Sequence, residues 1–229
     1  MRLLAFETAT RRLSVALWQD GELIERAEEV ANGGSERLLP WVHELLAEGG
    51  LALQQLDGIA FGAGPGGFTG LRLACGVAQG LAWGLDLPVM PVSTLEALAL
   101  ASGERDVWTC LDARMNEVYG AAYAVEGESV TQIVAPSCMP PAVSPAPTFP
   151  GGWGVGDGFA SYGNLLLAQK PDLAGIRGDA FPTAAAVLRL AAPAFAGGSA
   201  IPAALAQPIY VRDKVALTTV ERIARGGAR

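Results

Sequence analysis

Five glycines fall within nine residues in GAGPGGFTG, from Gly62 to Gly70, with Pro65 among them. Glycine lets a backbone take positive φ and approach other groups closely, while proline fixes the path, so this loop is shaped rather than slack. An apolar run, LDGIAFG, leads into it as a buried strand, and an apolar segment over residues 71–85 leaves it. There Leu73, Val77, Leu81 and Leu85 recur every fourth residue beside Ala74, Ala78 and Ala82. That is helical spacing, with Thr69 a candidate N-cap. Gly76, Gly80 and Gly84 also recur every fourth residue and share one face, each costing roughly 1 kcal/mol of helix propensity relative to Ala. Two packings offset that cost: the helix lies close on its own sheet, or its glycine face forms a groove for a helix of another chain. Fifteen residues are too short for a membrane span, which needs about 20.

The whole chain, 229 residues with 51% hydrophobic, is long enough for one large or two small domains with a sizeable core. Its net charge is −7, and its only lysines are Lys170 and Lys214, a poor endowment for neutralising phosphates. Any nucleic-acid role therefore needs a basic partner. No long apolar stretch follows Met1-Arg2, so no signal peptide is expected and the expected location is cytoplasmic. Cys75, Cys110 and Cys138 are unpaired in spacing, which fits reduced thiols. His43 is the only histidine, which removes His-pair metal motifs.

Taken in order, residues 3–6, 13–18 and 22–29 read as an antiparallel meander, its last two strands joined at Asp20-Gly21. Ser35 is a candidate cap for a helix with Leu38, Leu39, Val42, Leu45 and Leu46 as its stripe and Gly49-Gly50 as its stop; Pro40 sits inside this segment, so either the helix begins there or its first turn is kinked. Trp41 lies off that stripe, as a covered surface residue or a partner contact. A strand at 56–61, the glycine loop and its helix, a strand at 87–92, and a helix at 94–101 with a Ser93/Glu96 capping box complete the first half. After Gly103-Glu104-Arg105, strands at 106–111, 117–125 and 129–134 form a second meander, so the reading is α/β with two related lobes of mixed sheet flanked by helices, 1–103 and 104–229. Residues 135–152, with six prolines, read as an irregular loop. A short strand within 153–158, helices at 159–168 and 183–195, an extended 207–212 and a terminal helix with a basic end follow.

The chemistry is sparse. A glycine loop feeding a helix N-terminus can cradle an anion, but no Walker lysine stands in Thr69-Gly70-Leu71-Arg72. Arg72 in the first helical turn opposes the helix dipole and calls for a carboxylate or a phosphate. Glu7 can serve as a general base or metal carboxylate, or can hydrogen-bond the neighbouring turn. Asp112-Ala113-Arg114 lacks the glycine that a phosphate-binding hairpin needs.

FETAT and LSVALW, the LLP of 35–46, FGAGPGGFTGLRLACGVAQGLA, PVSTLEALA, LDARMNEVY, GVGDG and the terminal PIYVR together resemble the bacterial TsaB family, also called YeaZ. The resemblance implies the actin, Hsp70 and sugar kinase (ASKHA) fold. It also implies a non-catalytic subunit needed to form N6-threonylcarbamoyladenosine beside the anticodon of tRNA. In that family the catalytic paralogue TsaD is the heterodimer partner, the ATPase TsaE docks on the pair, and tRNA is met only through the complex. ATP and metal belong to those partners, with no cofactor held by this chain alone and no membrane contact; alone, a homodimer is expected. The family pairs through its first two helices, which implies an interface at Leu38, Leu39, Val42, Leu46, Arg72, Leu73, Gly76, Val77, Gly80, Leu81 and Gly84. Three positions depart from the usual pattern: Gly67 for Ser, Gly34 for His and Glu7 for Asp. The alternatives are an active small-molecule kinase or ATPase of the same superfamily and a peptidase, which a single histidine without a triad argues against.

Overall fold

The computed structural model describes residues 1–30 and 34–212. β1 (Arg2–Glu7), β2 (Arg12–Gln19) and β3 (Glu22–Glu29) form an antiparallel meander. Asp20 and Gly21 take φ of 51° and 100° at the β2–β3 turn, the backbone hand that matches strand twist. α1 (Ser35–Glu48), β4 (Gly58–Gly64), α2 (Phe68–Leu85), β5 (Pro88–Ser93) and α3 (Thr94–Ser102) complete the first half. β4 runs parallel to β1, and β5 parallel to β4. The second half holds β6 (Asp106–Arg114), β7 (Glu117–Glu126), β8 (Ser129–Met139), β9 (Trp153–Val155), α4 (Asp157–Leu167), β10 (Gly175–Arg177), α5 (Ala184–Ala196) and β11 (Ile201–Pro202).

The strand orders repeat. The first sheet runs β3-β2-β1-β4-β5 and the second β8-β7-β6-β9-β10, each a meander with two parallel strands added beyond its first strand. β11 extends the first sheet beside β5. Side chains alternate across each strand. Leu4 and Phe6 of β1 pack with α1 and α2, whereas Leu3 and Ala5 join α3 and α5. In β6, Trp108 and Cys110 face α4 while Val107 and Leu111 face the shared core. The layers are therefore α1 with α2, the first sheet, α5 with α3, the second sheet, and α4.

The inner helices cross over: α5 follows the second sheet yet lies on β1, β2, β4 and β5, and α3 follows the first sheet yet lies against β6, β7 and β8. The division expected at 103/104 falls between the two meanders, but it leaves the first lobe incomplete, since strand β11 returns to the first sheet and α5 covers it. Each sheet buries its inner apolar face under a helix supplied by the other half.

Several local expectations change. Gly34, at φ 96°, is the N-cap of α1, and Ser35 is already helical. Gly67 caps α2, which places Thr69 inside the first turn. Pro40 lies inside α1, and the helix begins at Ser35 and not at the proline. Ser93 and Thr183 do cap, accepting from the amides of Glu96 at 3.4 Å and Ala186 at 3.1 Å. Residues 135–139 continue β8 in a bulged pairing with β7 instead of looping. α4 starts at Asp157, two residues before the expected 159. β10 and β11 were too short to show a periodicity. The expected terminal helix lies outside the described residues. No helix among the described residues is long and apolar enough to cross a membrane.

Candidate functional site

The glycine loop closes on the β1–β2 turn. Gly67 N–H donates to the Ala9 carbonyl at 2.7 Å, and Thr8 Oγ1 donates to the Gly70 carbonyl at 2.6 Å. A Cβ on Gly70 would overlap the Thr8 carbonyl oxygen, and one on Gly66 would stand 2.6 Å from the Ala9 carbonyl oxygen. Here glycine is required by backbone approaching backbone. The amide of Gly64 is engaged as well, donating to Thr94 Oγ1 at 3.1 Å. These amides at the mouth of α2 hold the protein's own oxygens where an anion cradle would hold a ligand's.

Glu7 closes the floor beneath. It ends β1 on the inner face, fully buried, accepting from the Ala9 amide at 2.7 Å and from Thr94 Oγ1 at 3.1 Å. A Cβ on Gly62 would run into its carboxylate. Burial raises its pKa to about 7 against the lowering effect of these hydrogen bonds, because desolvation penalises the charged form. Of the roles open to Glu7, hydrogen bonding to its own turn is the one seen. Among the described residues, no three His, Cys, Asp or Glu side chains converge as a metal site.

Outside this floor lies the face of α2. Leu71, Ala74, Cys75, Ala78 and Ala82 are buried on the sheet side, the alanines letting the helix lie close. Leu73, Val77 and Leu81 are half-buried along its flank. Gly76, Gly80 and Gly84 face outward, and among the described residues a Cβ on any of them would meet nothing within 4 Å. Packing of the glycine ladder on its own sheet is thereby excluded. Trp83, 70% exposed, stands beside Gly84.

α1 corrects the expected interface. Leu38, Val42 and Leu46 are buried in the core at 0%, 2% and 4% exposure, so they hold α1 to its own sheet and are closed to a partner. Leu39, 48% exposed, is open. Trp41 is half-buried against the same core. Arg72 is exposed, and among the described residues its guanidinium lies 3.7 Å from the Phe68 ring centroid while its Nε donates to the Tyr210 hydroxyl at 3.2 Å. That aromatic face and phenol oxygen relieve part of the charge at the helix start.

At the second sheet the β6–β7 turn places Arg114, Met115 and Asn116 all at positive φ, 61°, 57° and 59°. Asp157, at the start of α4, accepts from the Asp112 amide at 2.9 Å. Burial raises its pKa, opposed by that hydrogen bond. Asp112 in turn is paired with Arg114 at 3.1 Å. Arg212 donates to the Ala113 carbonyl at 2.9 Å and to Glu117 at 2.7 Å. Sequence reasoning gave no contact for Phe68, Trp83 or Tyr210; exposed aromatic residues in a glycine-rich neighbourhood were the available signal.

A repeated meander-plus-parallel sheet with two helices exchanged between the halves defines a two-lobed α/β protein of the ASKHA type. The chain matches the family model described as TsaD, tRNA N6-adenosine threonylcarbamoyltransferase, over residues 27–194. It is 35% identical over 228 residues to the tRNA threonylcarbamoyladenosine biosynthesis protein TsaB of Escherichia coli (strain K12), with 94% of this chain and 96% of that one covered. Against the protein of the same name from Haemophilus influenzae (strain ATCC 51907 / DSM 11121 / KW20 / Rd) the identity is 38%, with 94% and 95% covered. The solved structure of YeaZ from Pseudomonas aeruginosa superimposes with a TM-score of 0.85 at 36% identity, covering 91% of this chain and 99% of that one. The chain belongs to the TsaB (YeaZ) family.

Proposed function

We propose that this protein acts in tRNA threonylcarbamoyladenosine formation as a non-catalytic subunit, pairing with the catalytic paralogue TsaD through the outer face of α2. The observation that carries this reading is the open space over Gly76, Gly80 and Gly84. Three glycines in a solvent-facing helix each cost roughly 1 kcal/mol, a cost that close approach of a partner helix offsets. Leu73, Val77 and Leu81 form one wall of that approach, with Leu39 on α1 as a further contact. TsaE docks on the pair, tRNA is met through the complex, and ATP and metal are held by the partners. Without TsaD the same face supports a homodimer. The setting is the cytoplasm, where tRNA is modified.

The test is light scattering of the chain alone and mixed with the TsaD of its own organism, with wild type beside Gly80→Leu. A heterodimer that the folded variant cannot form supports the reading. Equal pairing by the variant, or no pairing by wild type, overturns the assignment of this face.

A further inference from the structure

Residues 207–212 have neither helix nor strand, yet their backbone and side chains are fixed at both ends by different lobes. Ile209 N–H donates to the Ala63 carbonyl at 2.7 Å, beside β4. Its own carbonyl lies so near Gly64, at φ 116°, that a Cβ there would come within 2.8 Å of it. The Tyr210 ring lies 6.2 Å from that of Phe68, and its hydroxyl accepts from Arg72, both at the start of α2. Two residues later the chain is anchored to the second lobe. The Arg212 side chain, 14% exposed, donates to the Ala113 carbonyl and to Glu117 at the β6–β7 turn, and its guanidinium carbon stands 5.7 Å from the Tyr119 ring centroid.

We infer that residues 209–212 are an interlobe clamp, joining the β4–α2 loop of the first lobe to the β6–β7 turn of the second. The chemistry suits the task. One terminal guanidinium nitrogen, Nη2, donates both to the Ala113 carbonyl and to the Glu117 carboxylate, so a charge-assisted bond and a backbone bond hold the same atom to the turn. The turn that it grips holds three consecutive non-glycine residues in the left-handed region, a conformation that outside contacts sustain. Through Tyr210 and Arg72 the clamp also ends on the first turn of α2, so the position of that helix is linked to the second lobe. This inference concerns the single chain and stands whether or not α2 pairs with TsaD.

NMR-detected amide exchange on the full chain tests it, comparing wild type with Arg212→Ala and, from the other side of the pair, Glu117→Gln. In a clamp, both substitutions in the second lobe speed exchange of the Ile209 amide, in the first, at least tenfold, while amides within the β1–β4 pairing keep their protection. Unchanged Ile209 exchange in either folded variant shows two independent anchors and overturns the clamp. Loss of β1–β4 protection together with Ile209 also overturns it, making Arg212 a contributor to global stability. Arg105→Ala, which removes the exposed pair with Glu126 in the same lobe, is the control and leaves Ile209 unmoved.

Discussion

Glycine serves opposite purposes at the two ends of one segment. From the end of β4 to the first turn of α2, Gly62, Gly66 and Gly70 are pressed against Glu7, Ala9 and Thr8 of the same chain, and a methyl group has nowhere to go. Along α2, Gly76, Gly80 and Gly84 have none of the described residues above them. The first set is explained by the fold of the single chain. The second is not, because an exposed helix gains from alanine at each position. A structural demand answered inside the molecule and one left unanswered thus sit within about four turns of each other.

Substitution separates the two sets. Gly70→Ala forces a Cβ into a backbone carbonyl that cannot rotate away, and should lower stability by about 4 kcal/mol, read as a fall in the urea midpoint. The two neighbouring leucines of α1 give the same contrast. Leu38→Ala opens a cavity beneath α1 and should cost about 3 kcal/mol, while Leu39→Ala should change stability by less than about 0.5 kcal/mol. Similar costs for both would show that α1 is rotated from the orientation described.

The buried floor under the loop carries a pH signature that the open face lacks. Glu7 has its pKa raised to about 7 from an unfolded value of 4.5, so the folded state holds the proton more tightly than the unfolded chain. Its contribution is fully present below about pH 4.5 and is lost as pH rises through about 7, a change on the order of 3 kcal/mol. Denaturation series across that range should show a downward slope that Glu7→Gln flattens; an unchanged slope in the variant places its origin elsewhere. A modest gain is the most discriminating effect. Gly80→Ala should raise the stability of the monomer by about 1 kcal/mol at dilutions where the chain does not pair, whereas a loss there would mean that the ladder is packed within the chain after all.

Much of this was legible beforehand. The Asp20-Gly21 hairpin, the Ser93 and Thr183 caps, and the two meanders that start each half are local features, and local chemistry settles them. The glycine-rich loop was recognisable as shaped, but its purpose was not, because its partners, Thr8 and Ala9, lie some 60 residues earlier. The α1 stripe was correctly apolar, but Leu38, Val42 and Leu46 are taken up by the chain's own sheet and Leu39 is left open. Periodicity says that a face is buried, without saying whether the chain's own sheet or another molecule buries it. Residues 135–139 were hidden by prolines and by the bulged pairing opposite Gly120–Tyr123. Arg72 shows the same limit, since Tyr210, which receives its hydrogen bond, comes 138 residues later.

By itself the sequence determined the class of fold, its repeat and most of its elements, because hydrophobic period, turn residues and capping side chains act over a few residues. The tertiary structure alone decided which glycines are filled and which are open, that α3 and α5 exchange sheets, and that Arg212 reaches the opposite lobe. Those depend on distances between segments far apart in the chain, which no local pattern encodes.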